Sequence, residues 1–176
     1  MSDRLTTITA ATANPQQREV MLEIQRDRNL PDGKLGRIFA LLLASPGAAQ
    51  CVGKVGAHCR FNSALPKPLR EVVVLATTYH LGFELENRAH EPLALEYGIT
   101  PANLAALKQG KFSELPESMQ QLAQLSNAVS SGKEVGDALF ESVRATYGND
   151  AAVDTVVMAG YYLMLYQVSR TLMPGE

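Results

Sequence analysis

Apolar residues recur along this chain at spacings of three and four, broken at regular intervals by proline and glycine. That is the signature of successive helices. Asn14-Pro15 reads as a cap followed by proline at the first helical position, and it opens the stretch Gln16–Arg28. Asn29–Gly36 is rich in turn formers and reads as a loop. A short buried helix is expected over Arg37–Ala44, closed by Ser45-Pro46-Gly47. The run Leu69–Leu81 carries Val72, Val73, Val74, Thr77 and Thr78, and propensity alone would make it a strand. Its length, and the helical run that follows a two-residue break at Gly82-Phe83, favour a buried helix. Glu84–Tyr97 is the next helix, ended at Gly98. Thr100-Pro101 caps a helix that stops at Gly110, and Leu115-Pro116 opens another that stops before Gly132. Asp137–Tyr147 ends at Gly148, and Asn149 starts a long final helix. No strand pair with a hairpin signal interrupts the series. The pattern predicts an all-α fold of roughly seven to nine helices packed in pairs.

The segment Pro46–Ser63 is unusual for its small residues. Gly47, Gly53 and Gly56, with Ala48, Ala49 and Ala57, make either a face for close helix approach or a marginal helix, since each interior glycine costs roughly 0.5–1 kcal/mol against alanine. Two helices end in Tyr-Gly and lead into a capped helix, at Tyr97-Gly98 and Tyr147-Gly148. An internal duplication and chance explain this echo equally well.

With 176 residues, 46% hydrophobic and 19% charged, the chain reads as one domain, residues 1–176, able to bury a core without staples. A net charge of −2 leaves no basic footprint for nucleic acid. The first twenty residues show no signal-peptide pattern, and uninterrupted apolar runs such as Ile38–Ala44 are too short to span a bilayer. A cytoplasmic protein with no membrane partner is expected. Cys51 and Cys59 would lie about 12 Å apart along one helix, too far for a disulfide.

Candidate chemistry concentrates in Leu69–Ile99. Glu86 and His90 are four apart and share a helical face. Pro92 has no N–H to give the carbonyl of Arg88, which predicts a kink or local opening beside His90. If the two runs form a hairpin, Glu71 faces the Glu/His pair across a small gap. Imidazole suits proton transfer near neutral pH. Glu86 either orients His90, carries the proton itself, or forms a plain surface pair. Glu71, close behind Pro68, is equally explained as an acid favoured in a first helical turn. Glu84 and Arg88 form a second pair on a different face, read as solvated surface. His58, Cys59, Arg60, Tyr79 and His80 are secondary candidates, and His80 also fits a capping or interface role. The zinc-type ligand spacings are missing, so no metal is expected. Tyr161, Tyr162 and Tyr166, with Met158, Met164 and Met173, read as core or subunit packing in the last helix, with pocket lining as the alternative.

Arg70-Glu71 on an apolar helix, a short break, Glu86-x-x-x-His90, the phrase His-Glu-Pro-x-Ala and the downstream Ala94-x-x-x-Gly98 resemble the carboxymuconolactone decarboxylase and alkylhydroperoxidase-D-like family. The resemblance covers roughly residues 61–107. It implies a helical bundle with its site on a helical hairpin, self-association as a trimer or hexamer, and a small-molecule substrate. The family's peroxidases carry Cys-x-x-Cys ahead of the histidine. Laid onto this chain, those two positions are Phe83 and Glu86, the family's glutamate is Glu71 and its histidine is His90. A thiol cycle needs an attacking and a resolving cysteine, so the departure argues against thiol peroxidase activity. The decarboxylase branch implies Glu86, His90 and Arg70. The expected activity is therefore cofactor-free acid/base chemistry (decarboxylation, isomerisation or hydrolysis) on a small organic acid or lactone. His90, Glu86 and Glu71 are the expected catalytic groups, and Arg70, Arg60, His58 and Tyr79 the substrate-binding ones. The alternatives are an antioxidant protein of the alkylhydroperoxidase type and a ligand-binding oligomer without turnover.

Overall fold

The computed structural model describes residues 3–31 and 34–174. Asp32 and Gly33, in the middle of the expected loop, lie outside them. The described residues form helices α1 (Pro15–Asp27), α2 (Arg37–Leu42), α3 (Pro46–Ala57), α4 (Lys67–Leu81), α5 (Glu84–Glu96), α6 (Pro101–Gln109), α7 (Glu117–Ser130) and α8 (Asp137–Leu172). A π-helical turn spans His58–Asn62 and a 3₁₀ turn Phe112–Glu114. Among the described residues there is no strand. The chain divides into two compact units, one of residues 1–62 with 167–176 and one of residues 63–166.

In the first unit, Asn14 closes a full capping box. Its side chain accepts from the Gln17 N–H while the Gln17 side chain accepts from the Asn14 N–H. Helix α1 buries Val20, Met21 and Ile24 in a cluster with Phe39, Leu43 and Ala49. The glycine-rich segment is a helix, and Gly53 shows why its residues are small. A Cβ there would sit 2.8 Å from Cγ1 of Ile24, near the base of that side chain. Gly53→Ala gains up to ~1 kcal/mol of helix propensity, but overpacking costs about 1–3 kcal/mol. We expect a net loss of about 1 kcal/mol, seen as a lower Tm in thermal unfolding; an unchanged or higher Tm would show that Ile24 yields.

The second unit is arranged around α4. This helix packs against α5, α6 and α7. That explains how a run rich in β-branched residues becomes helix. Every residue from Glu71 to Thr78 is buried, and a helix apolar on all sides is stable when neighbours surround it. Helix α4 ends at Gly82, whose φ of +66° is open to glycine, and Phe83 N–H closes the turn on the Thr78 carbonyl at 2.8 Å. Helix α8 is interrupted at Gly148 (φ +87°, ψ 170°), the break expected from the sequence. Before the break, Tyr147 hydrogen-bonds the Ser118 carbonyl on α7; beyond it, Asp154 accepts the N–H of Ala64 at 2.7 Å and anchors the approach to α4. By length and composition α8 could cross a membrane, but half of its apolar window is buried within the structure, as in the core helix of a globular protein.

Candidate active site

The sharp turn at Gly82-Phe83 folds α4 and α5 into an antiparallel hairpin. Its register brings Glu71 opposite His90. One difference from the sequence expectation matters here. Helix α4 starts at Lys67, so Glu71 lies beyond the first turn, and it is only 7% exposed. The helix dipole falls off within the first turn and does not account for a buried carboxylate at this depth. Helix α5 continues through Pro92. Arg88 lies on an exposed face, where water can bond the carbonyl that Pro92 leaves without a donor.

His90, 4% exposed, is the hub. Its Nδ1 lies 2.6 Å from Oε2 of Glu71. Its Nε2 lies 3.0 Å from the hydroxyl of Tyr162 and 3.4 Å from Oε2 of Glu86. The Tyr162 ring stands edge-on to the imidazole, with centroids 5.4 Å apart, and Tyr161 stands edge-on to Tyr162 at 5.3 Å. Phe83, buried just after the turn, packs against Tyr166 at 5.5 Å, so the same stretch of α8 is held to the hairpin at two points. Glu71 and Tyr162 are both buried, whereas the Glu86 side chain is 19% exposed. Glu86 is thus the outward end of the group.

The electrostatics follow from this arrangement. Burial pulls the imidazole down, but hydrogen bonds and charge from Glu71 and Glu86 outweigh it and raise His90 above its ordinary range. The carboxylate at Nδ1 fixes the ring so that Nε2 faces Tyr162 and Glu86. In the cation, Nδ1–H donates to Glu71 and Nε2–H points toward Glu86 and Tyr162. In the neutral ring, Nδ1–H remains on Glu71 and Nε2 accepts from the Tyr162 hydroxyl. Because the folded-state value is raised, the stability that His90 contributes is full below its unfolded value of about 6.5 and is lost as pH rises through the higher folded value. The difference in Tm between wild type and His90→Gln should therefore be largest below about pH 6.5 and shrink above it; a difference that grows with pH would reverse the sign.

Of the seven candidates, the structure brings together Glu71, Glu86 and His90. Arg70, half-buried, precedes Glu71 on α4. Tyr79 lies on another flank of α4, where its hydroxyl donates to Glu91 at 2.9 Å. His58 and Arg60 lie on the π-helical turn of the first unit. The secondary candidate His80 pairs through Nε2 with Ser131 at 3.1 Å, and Cys59 is buried. Glu84 and Arg88 are exposed, as expected. Tyr162, expected as core or subunit packing with pocket lining as the alternative, packs in the core and also hydrogen-bonds Nε2 of His90. The available signal was a tyrosine pair within an apolar helix, which by itself does not distinguish the two roles. Among the described residues, no three His, Cys, Asp or Glu side chains gather as ligands to one ion; Glu71 and Glu86 address opposite nitrogens of His90.

No protein-family model matches the sequence, and no curated protein is significantly similar to it. A solved structure is similar over the whole chain. It is the crystal structure of an alkylhydroperoxidase AhpD core, an uncharacterized peroxidase-related protein from Ralstonia eutropha JMP134. The match has a TM-score of 0.71, covers 100% of this chain and 94% of that one, and has 18% sequence identity. At that identity the likeness speaks to architecture: this chain has the all-α, alkylhydroperoxidase-D-like fold.

Proposed function

We propose that the chain is a cofactor-free acid/base enzyme of the decarboxylase-like kind, moving a proton at a carbon alpha or gamma to a carbonyl in a small organic acid or lactone. The observation that carries this is the pair of opposed contacts on His90, a buried carboxylate at Nδ1 and a partly exposed carboxylate with a phenol at Nε2. The raised imidazole favours its protonated, acid form, and the Glu86 carboxylate lies beside it as the acceptor. One site thus offers a proton donor and a proton acceptor 3.4 Å apart. Glu86 takes the proton from carbon, Nε2–H of His90 returns one to the developing carbanion or enolate, and exchange between the two restores the resting state. Tyr162 orients the ring. Arg70, next to Glu71 on α4, is the cation this reading assigns to holding a substrate carboxylate. Self-association as a trimer or hexamer belongs to the same reading and is supported by exposed Val153, Val156, Val157 and Met164 on α8.

The second reading, a peroxide-related role, is favoured by the description of the structural neighbour as peroxidase-related. Against it stand Phe83 and Glu86 at the positions where the resemblance puts the paired cysteines. Exchange of carbon-bound hydrogen into deuterated water, followed by proton NMR over a panel of small lactones and unsaturated or keto acids, separates the two. Wild type and the double variant Cys51→Ser, Cys59→Ser should catalyse exchange equally. Loss of exchange in the folded double variant, or thiol-dependent consumption of an organic hydroperoxide that needs either cysteine, would move the chemistry to sulfur.

A further inference from the structure

The second unit contains a cavity of about 160 Å³ on the flank of α4 that carries Tyr79. At ~30 Å³ per water it has room for about five waters, or one compact organic group. Its lining includes Tyr79 and His80 from α4, Lys108 and Gln109 from α6, Phe112 from the 3₁₀ turn and Asn127 from α7. Three helices end here. His80 is in the last turn of α4, Gln109 is the last residue of α6, and Asn127 is in the last turn of α7. Each C-terminus presents the negative end of its dipole. Two aromatic rings, Tyr79 and Phe112, border the same space.

The one ammonium at the rim shows what this environment attracts. Lys108 Nζ stands 5.7 Å from the centroid of the Tyr79 ring and 3.6 Å from Oε1 of Glu91. Glu91 in turn accepts the Tyr79 hydroxyl; burial, and then that contact, push the phenol up, so Tyr79 remains neutral. The Lys108 side chain is 61% exposed, so its ammonium reaches in from solvent and can leave. His80 donates through Nε2 to Ser131, whose own proton goes to the Asn127 carbonyl.

We propose that this cavity is a binding site for a small organic cation, an alkylammonium, for which the Lys108 ammonium is an internal competitor. The ligand sits on the Tyr79 and Phe112 faces, its charge directed at the helix C-termini and Glu91. The site is distinct from the one at His90 and does not depend on the reaction proposed there.

The test is a titration of the full chain with tetramethylammonium chloride, read by backbone amide shifts of His80, Gly110 and Asn127, with sodium chloride at equal ionic strength as the reference. Saturable shifts confined to these residues are expected. Lys108→Met should tighten binding at least about threefold by freeing the Tyr79 face and Glu91. Tyr79→Leu should weaken it by about two- to fivefold, the range for an exposed cation–π contact. Sodium acetate is the opposing probe: saturable acetate binding lost in Lys108→Met would make this an anion site and overturn the proposal. Shifts that sodium chloride reproduces would also overturn it. Lys108→Met alters a mostly exposed side chain, so its folding should be unaffected, and it keeps the test decisive if Tyr79→Leu fails to fold.

Discussion

His90→Gln should lower kcat/KM by at least about a hundredfold on any substrate that the exchange screen identifies. Positioned acid–base groups contribute about 10²–10⁴-fold, and His90 is the group that every other member of the site touches. Glutamine keeps some of the hydrogen bonding but cannot carry a proton. Glu84→Gln, on the exposed face of the same helix, should cost almost nothing. Tyr162→Phe should fall between them, since it removes one orienting bond at Nε2 and keeps the ring packed edge-on to the imidazole. If His90→Gln and Glu84→Gln behave alike, the chemistry is elsewhere.

Glu71→Gln should have an effect of similar size by a different route. The carboxylate holds the Nδ1 proton at 2.6 Å and supports the cation. An amide gives up the negative charge and can offer its own N–H to Nδ1, turning the ring so that Nε2 carries the proton in the neutral state. Wrong-tautomer substitutions of this kind cost orders of magnitude in other enzymes built on a carboxylate–imidazole couple, and a loss of about 10²–10⁴-fold is expected here. The loss should fall mainly on kcat, because Glu71 touches the histidine and not the substrate. A loss confined to KM would instead make Glu71 part of the binding surface.

Much of this was legible in sequence because it is local. The 3.6-residue period and the Asn14, Thr100, Gly82 and Gly148 signals mark the helices and their ends, and the structure has them there. Glu86 and His90 are four apart, so helix geometry alone puts them together. Glu71 needed the hairpin, which the two-residue break at Gly82-Phe83 suggested and the family resemblance implied. Tyr162 is 72 residues from His90, and no local rule links a tyrosine on one helix to a histidine on another. Its burial and apolar neighbours read as packing, which is also true of it. Tyr79 shows the same limit. It precedes the turn by only three residues, yet its position around α4 sends its hydroxyl to Glu91 rather than toward His90.

Everything proposed for the site rests on His90 being a raised imidazole locked by Glu71 at Nδ1, with Nε2 left to work. Nitrogen-15 NMR of the histidine side chains across pH tests this without a substrate. His90 should titrate above the ordinary histidine value of about 6.5, its neutral form should be the Nδ1–H tautomer, and Glu71→Gln should lower the midpoint and remove that tautomer preference. A His90 that titrates at or below the ordinary value, or that is neutral with its proton on Nε2 in the wild-type chain, would contradict it.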